Sequence, residues 1–452
     1  MRGGKRMGER MSEAVEVLLW GRRIGVASRV DGEPCASFAY DREFQDAGIE
    51  PSPLMMPVGI AAYSFPALPQ GSFHGLPGML SDSVPDKFGN AVIRAWLKTQ
   101  GRLLESLTPI ERLCYTGVRG MGALEYKPTM FDDEDKSEEI HVDALAELAD
   151  EVLKSRTEAA AKLVPDMKRY SSILKVGSSA GGARAKALIG WNEATGEVRS
   201  GQVALPEGFG YWLIKFDGLT GNGDKEGDDK WGYGRVEYAY HLMARAAGIE
   251  MTECRLWNKR HFMTRRFDRL ADGGKLHAQT LGALAHMDFN DPAAYSYEQA
   301  FRVTRRVVND ARANEQLFRR MAFNVLAWNC DDHVKNIAYL MDRRGEWSLA
   351  PAYDECYAHN PEGDWTSRHQ MSVNGKRIGI TDDDILSCAR FANMRERKAR
   401  AVLDEVRSAV RDWPRFAAEA EVRDDFVAAI SLRLSQPGDP AHRLCLHPPR
   451  IT

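Results

Sequence analysis

Residues 328–336 read WNCDDHVKN. Within them Asp331 and Asn336 stand in the spacing D-x-x-x-x-N. Phosphoryl transfer needs a carboxylate that accepts or orients a hydroxyl proton, and an oxygen ligand for magnesium close by. The catalytic loop of protein kinases uses this spacing. Asp354, eighteen residues after Asn336 in LAPAYDEC, can complete such a metal site. Asp332 and His333 raise a second chemistry, a zinc or di-metal hydrolase. No H-x-x-x-H or H-x-E signature accompanies them, and the other histidines are scattered.

Three further pieces fit the first chemistry. The stretch GSSAGGARAKALIG, residues 177–190, is rich in small residues, which let backbone N–H groups approach phosphate oxygens. Lys186 adds a point charge. It is not a Walker A loop, because G-x-x-x-x-G-K-[ST] is absent, and a glycine turn between strands is the competing reading. Lys215, in YWLIKF, lies in an apolar strand-like run; it reads either as a phosphate-binding lysine or as a lysine reaching out from a sheet edge. Glu237, in the helix-like run after a Gly- and Asp-rich loop, is placed to pair with Lys215 or to be a surface glutamate.

These side chains need rigid elements to hold them. The run LFRRMAFNVLAW predicts a buried helix before the motif, and IAYLM a short buried strand after it. Strand-like VEVLLW, RIGVAS and ASFAYD open the chain. A helix is expected from near Pro85, with Val92, Ile93, Trp96 and Leu97 on one face, and GALEYKP closes this section as a strand. The acidic run FDDEDKSEE reads as a linker. After it come a helix in VDALAELADEVLKSR and strands in ILKVG, RAKALIGW, YWLIKF and HFMTRRF. The helix RVEYAYHLMARAAGI interrupts them, ending near Gly248. From about residue 295 the pattern is mainly helical: YEQAFRVTRRVVNDAR, RERKARAVLDEVRSAVRDW and DDFVAAISLRLS. A sheet-rich half followed by a helix-rich half is the order of a two-lobed nucleotide enzyme.

The 452 residues are 44% hydrophobic and 28% charged, the composition of an ordinary globular chain of two or three domains. A net charge of −3 excludes a general attraction for nucleic acid. The seven cysteines never form CxxC, which argues against a disulfide framework and a zinc ribbon and fits a reducing cytosol. No apolar run is long enough to span a membrane, and no secretion signal is read at the N-terminus; a cytoplasmic location is expected.

In this order and spacing, SSAGGARAKA, WLIKF, RRFDR, FNVLAWNCDDHVKN and LAPAYDE resemble the HipA family, the serine/threonine kinase toxins of bacterial type II toxin–antitoxin pairs. LLWGRRIGVAS, GLPGMLSDSVPDKFGNAVI and GVRGMGALEYKP resemble that family's N-terminal subdomain. The resemblance covers about residues 16–410. It implies an α+β, protein-kinase-like two-lobed fold, with a β-rich N-lobe, an all-helical C-lobe and an extra N-terminal β-containing subdomain. The expected division is 14–128, 129–270 and 271–452.

Residue by residue, the resemblance makes Asp331 the catalytic aspartate and Asn336 and Asp354 the magnesium pair. Lys215 becomes the phosphate-binding lysine, and Gly181, Gly182, Ala183, Arg184, Ala185 and Lys186 the ATP-phosphate loop. Arg265, Arg266 and Phe267 match the hinge that holds adenine through its backbone, and Asp268 a residue near the ribose. His333, Val334, Lys335 and Asn336 form the family's H-x-K-N segment, close to the nucleotide. Ser179, with Ser178 as rival, matches an autophosphorylated serine. ATP and Mg2+ follow as cofactors. The implied partners are a helix-turn-helix antitoxin of the HipB type, operator DNA only through it, and a protein substrate, with glutamyl-tRNA synthetase or another aminoacyl-tRNA synthetase as family precedent. The chain departs from relatives at Ala185, where they often carry proline or glutamate. Two alternatives stay open: an antitoxin-binding co-repressor module with little kinase activity, and a small-molecule kinase, since D-x4-N does not tell a protein hydroxyl from another. Basic stretches such as NMRERKAR and RVTRRVVNDAR are read as solvated helix faces that could touch phosphates.

Overall fold

The computed structural model describes residues 13–85, 87–99, 101–130, 139–154, 184–219 and 232–435. Ser178, Ser179, Gly181, Gly182, Ala183 and the expected strand ILKVG lie outside them. Among the described residues the strands form three antiparallel sheets.

The first sheet, in the order β4-β3-β2-β1-β5, is built from Ala14–Leu19 (β1), Arg22–Ser28 (β2), Ser37–Tyr40 (β3), Ala62–Tyr63 (β4) and Leu124–Lys127 (β5). β1 turns into β2 through Trp20 and Gly21, both at positive φ (51° and 78°), the geometry a two-residue hairpin requires. Val15, Val17, Leu19, Ile24, Phe38 and Tyr126 make its core.

The second sheet, β7-β6-β8-β10-β9, contains Lys186–Trp191 (β6), Val198–Ser200 (β7), Gly210–Lys215 (β8), Cys254–Trp257 (β9) and His261–Arg265 (β10). The expected helix appears at Lys87–Thr99, with Val92, Ile93 and Leu97 buried. Phe88, Ala91 and Val92 share one apolar cluster with Leu145, Leu148, Ile189, Ile214 and Met263. The core therefore runs across residue 128: this helix and Val142–Lys154 together cover the second sheet.

The C-lobe, expected to be all-helical, also carries a sheet. His277–Thr280 (β11), Ala338–Met341 (β12) and Trp347–Leu349 (β13) pair in that order. Its helices include Tyr297–Val307, Ala311–Leu326, Glu396–Arg411, Trp413–Glu419 and Asp424–Leu434. The run YEQAFRVTRRVVNDAR, read as one helix, is broken near residues 308–310. Asp310 leaves the helical conformation (φ −137°) and its carboxylate caps the next helix at the Arg312 N–H (2.9 Å), so a stop and a start replace a continuation. Among the described residues no helix is long and apolar enough to cross a membrane.

The first unit docks on the C-lobe through Gly78–Ser81 and the short helix Leu281–Ala285. A Cβ at Gly78 would stand 2.2 Å from the Ala283 carbonyl oxygen, so only glycine permits this approach. Asp82 accepts from the Thr280 N–H (2.6 Å) and from its hydroxyl (3.0 Å). Leu281 and Gly282 donate their N–H groups to the carbonyls of Ile337 (2.7 Å) and Val334 (3.1 Å). The N-terminal unit thus bears, through one short helix, on the loop that holds Asp331.

Candidate active site

Lys215 ends β8, and its partner across the β6 ladder is Lys186. Two cations side by side call for anions. Lys215 Nζ meets Glu237 Oε1 at 2.5 Å and also donates to Asp354 Oδ1. Glu237 is buried on the helix Tyr233–Ala246, which settles the surface alternative against it. Its other oxygen faces Arg184 Nη1 at 3.8 Å, and the Arg184 guanidinium lies 4.0 Å over the Tyr233 ring. Burial alone would lower the Lys215 pKa, but Asp354 and Glu237 outweigh it and hold the ammonium charged. Burial would likewise raise Asp354, yet Lys215 and Lys186 keep it below the ordinary carboxylate range. Asp354 adopts φ 56°, the left-handed region that aspartate tolerates at some cost. Ala185 buries its methyl group in the sheet core, and its carbonyl accepts from Phe216 N–H (2.9 Å), prolonging the ladder toward the phosphate-loop residues.

The loop after Ala311–Leu326 begins at Trp328, also at positive φ (54°). Asn329 laces it to the second aspartate, donating to the Asp354 carbonyl (3.2 Å) and to Asn324 Oδ1 (2.9 Å). Asn336 Nδ2 donates to the Asp331 carbonyl (2.8 Å), which fixes the ring of backbone between the two motif residues. Asp331 Oδ1 accepts from Trp365 Nε1 at 2.6 Å, and His333 Nε2 is 3.8 Å from the same oxygen.

The adjacent Asp332 has a different fate. Fully buried, it accepts from Tyr297 Oη (3.0 Å), His369 Nδ1 (3.0 Å) and the Gln370 N–H (2.7 Å). Burial would lower the His369 pKa, but Cys330 and Asp332 hold it well above the usual imidazole value. Asp332 is a pin for the loop. Among the described residues no group of three His, Cys, Asp or Glu side chains is arranged to hold a metal, and the hydrolase alternative gains no support. Val334 is buried in the helical core, and the Lys335 ammonium sits 4.6 Å from the Phe289 ring centroid. Tyr353 Oη donates to the Lys335 carbonyl (2.5 Å), a second lace between the two loops. Beside Asp354, Glu355 is pushed up to about 8 by burial, with Arg320 opposing.

At the expected hinge, the N–H of Arg265 donates to the Glu253 carbonyl (2.8 Å) and that of Arg266 to Tyr211 (2.9 Å). Phe267 packs on Tyr353 (centroids 5.5 Å apart), linking the expected hinge to the loop of Asp354. Asp268 is not turned to a cleft. Its fully buried carboxylate takes Arg266 Nε and Nη2 (2.9 and 2.7 Å), Arg269 Nη1 (2.7 Å) and the N–H of Gly122 in the N-terminal unit (2.7 Å). The ribose role that resemblance assigned it meets a side chain with no exposed surface.

Trp365, His369 and Tyr353 were not singled out from the sequence. Through these bonds they lie 18 to 37 positions from the residues they hold, with no spacing rule to mark them.

Residues 15–127 match the HipA N-terminal domain, and residues 178–413 the HipA-like C-terminal domain. This chain belongs to the HipA family. Its structure is similar to that of HipA from Shewanella oneidensis MR-1, solved with HipB and operator DNA: 15% identity, 93% of this chain and 95% of that one covered, TM-score 0.66. The proinflammatory kinase CtkA of Helicobacter pylori covers 50% of this chain and 92% of its own at 11% identity and TM-score 0.31. No curated protein sequence matches. The chain shares the fold of that HipA, a mixed α/β architecture opened by the β-containing N-terminal unit.

Proposed function

We propose that this HipA-family chain is a serine/threonine protein kinase that uses Mg-ATP and acts as the toxin of a type II toxin–antitoxin pair. The observation that carries the reading is the Lys215 ammonium clamped between Glu237 and Asp354, with Asp354 tied through Asn329 to the loop of Asp331 and Asn336. In a kinase such a lysine aligns the phosphates, and the carboxylate beside it holds magnesium.

The donor set fits that metal. Magnesium takes one or two protein oxygens and completes its shell with phosphate and water. Asp354 and the Asn336 carbonyl oxygen are the residues that would hold it, and it would neutralise phosphate charge. Lys215 and Lys186 would orient the triphosphate. Phe267 offers its backbone to adenine. Asp331 receives the proton of the acceptor hydroxyl, and Trp365 Nε1 steadies its carboxylate. His333 Nε2 stands on the same side, 3.8 Å from Asp331 Oδ1. Ser179 or Ser178 is the site of self-phosphorylation; a phosphate there carries about −1.5 to −2 charges and would repel ATP.

The HipB-bound relative supports a helix-turn-helix antitoxin as partner, with operator DNA reached through it, and family precedent supports an aminoacyl-tRNA synthetase, glutamyl-tRNA synthetase first, as target. Labelled ATP added to a host lysate should mark one protein with wild type and none with Asp331→Asn. Equal labelling by the variant would overturn the assignment.

A further inference from the structure

Tyr233 opens the helix that carries Glu237. Residues four apart on a helix share a face, so the Tyr233 ring and the Glu237 carboxylate lie on one side. Arg184 meets both. Its guanidinium stands 4.0 Å over the ring, and Nη1 is 3.8 Å from Glu237 Oε2, while Glu237 Oε1 holds Lys215. Arg184 lies two residues before Lys186, the ladder partner of Lys215. One turn of helix thus gathers cations from both strands of the candidate phosphate site.

The far end of the same ring is tied to the loop of Asp354. Tyr233 Oη donates to the carbonyl of Tyr357, three residues after that aspartate. The next residue, Ala358, is laced to the loop of Asp331: its N–H donates to the Trp328 carbonyl (3.1 Å), and its carbonyl accepts from the Cys330 N–H (2.9 Å). Tyr233 is itself held in place. Gly232, before the helix, has no side chain to cap it; Asp217, buried two residues after Lys215, accepts instead from the Gly232 N–H (2.9 Å) and the Tyr233 N–H (3.2 Å). Phe426, on the helix Asp424–Leu434, meets the ring edge to face, with centroids 6.3 Å apart.

We propose that Tyr233 is a positioning residue for phosphate transfer: its ring seats Arg184 on Glu237, and its hydroxyl sets the spacing between that seat and Asp354. The inference rests on the kinase reading and adds to it a residue that acts through Arg184 and through the Asp354 loop. The Arg184 side chain is only 16% exposed, and a guanidinium on an aromatic face gains most when water is excluded. Transfer needs phosphates and metal ligand in one frame, and a displacement of about 1 Å can cost on the order of 10²-fold.

The test uses the full chain, Mg-ATP titrations by calorimetry, and rates of labelled phosphate transfer into a host lysate. Tyr233→Phe keeps the ring and drops the hydroxyl. Its rate at saturating ATP should fall about fivefold or more, while the ATP concentration giving half that rate stays near wild type. Tyr233→Leu drops both groups and should also weaken ATP binding about tenfold. Arg184→Met should weaken ATP binding at least as much, and adding Tyr233→Leu to it should cost little more, because both act through one contact. Thermal melting checks folding; if the leucine variant does not fold, the split shown by Tyr233→Phe decides. A role in helix packing alone lowers the melting temperature and leaves both kinetic quantities of the folded variants unchanged. That result, or fully additive losses in the double variant, overturns the proposal and keeps the kinase. Wild type that binds Mg-ATP without transferring phosphate overturns the kinase reading and the role of the hydroxyl with it; the seat for Arg184 is then judged by the ATP affinities of Tyr233→Leu and Arg184→Met, and unchanged affinities overturn it too.

Discussion

Two knots of opposite charge hold this molecule, and they are built to different ends. Around Asp268, two arginines and a backbone N–H give the carboxylate four hydrogen bonds, and it is 0% exposed. Around Lys215, two carboxylates meet one ammonium, yet the Asp354 side chain keeps 32% of its surface. The first knot is closed and joins the second sheet to the N-terminal unit. The second is left partly open, with a residue at positive φ in it. A closed buried pair serves the fold; one that retains exposed oxygen and strain is arranged for a ligand.

The sharpest way to break that comparison is to remove one partner from each knot. Asp268→Ala leaves Arg266 and Arg269 buried without an anion, and should lower unfolding free energy by about 3–5 kcal/mol in urea titrations. Asp354→Asn still accepts from Lys215, and should leave stability within about 1 kcal/mol while Mg-ATP binding and phosphate transfer fall together. A larger stability loss for Asp354→Asn than for Asp268→Ala would dissolve the distinction. In chemistry the largest effect belongs to Asp331→Asn, which should slow transfer by roughly 10²–10⁴-fold with nucleotide affinity largely kept, because the carboxylate works mainly in the transition state.

Smaller effects sharpen the picture. Trp365→Phe keeps the ring but loses the indole N–H at Asp331 Oδ1. It should reduce kcat by about tenfold and leave KM for ATP near its wild-type value, since a hydrogen bond to a charged group is worth roughly 1.5–3 kcal/mol. An unchanged kcat would remove Trp365 from the positioning of the base. The smallest effect is a slope. Glu355 titrates near 8 when folded, by burial, and near 4.3 when unfolded. The folded state then binds the extra proton, so its contribution is full below about pH 4 and is lost as pH rises through about 8. Glu355→Gln should flatten stability against pH across that window. Asp268 runs the other way. Its folded pKa is depressed by Arg266 and Arg269 against burial, so its contribution is present above the unfolded value and lost only in strong acid.

Much of the fold could be read in advance because its signals are local. Short apolar runs gave β1, β2, β6 and β8, of which β6 and β8 are buried on both faces, and the periodic stripe of Val92, Ile93 and Leu97 gave a helix. β11 was missed because HAQT carries no such alternation; it becomes a strand by pairing with β12. The helix run through 308–310 failed on a cap, a two-residue signal inside a strong period.

The sequence by itself determined which side chains could do the chemistry. Asp331 and Asn336 sit on one short loop, and a single hydrogen bond from the Asn336 amide closes it. Lys215 and Glu237 are near enough in the chain that a strand and the following helix bring them together. Tertiary structure alone decided which neighbouring aspartate keeps an exposed surface and which one pins the loop. Asp331 and Asp332 are identical as residues. The distant Tyr297, His369 and Gln370, arriving from other elements, bond the second, and Trp365 meets the first. Asp268 is mixed: Arg266 and Arg269 are its neighbours in the chain, while Gly122 reaches it across a domain contact. The environment of a charge, not its place in a motif, fixes what it does, and that environment is assembled from residues that no spacing in the chain connects.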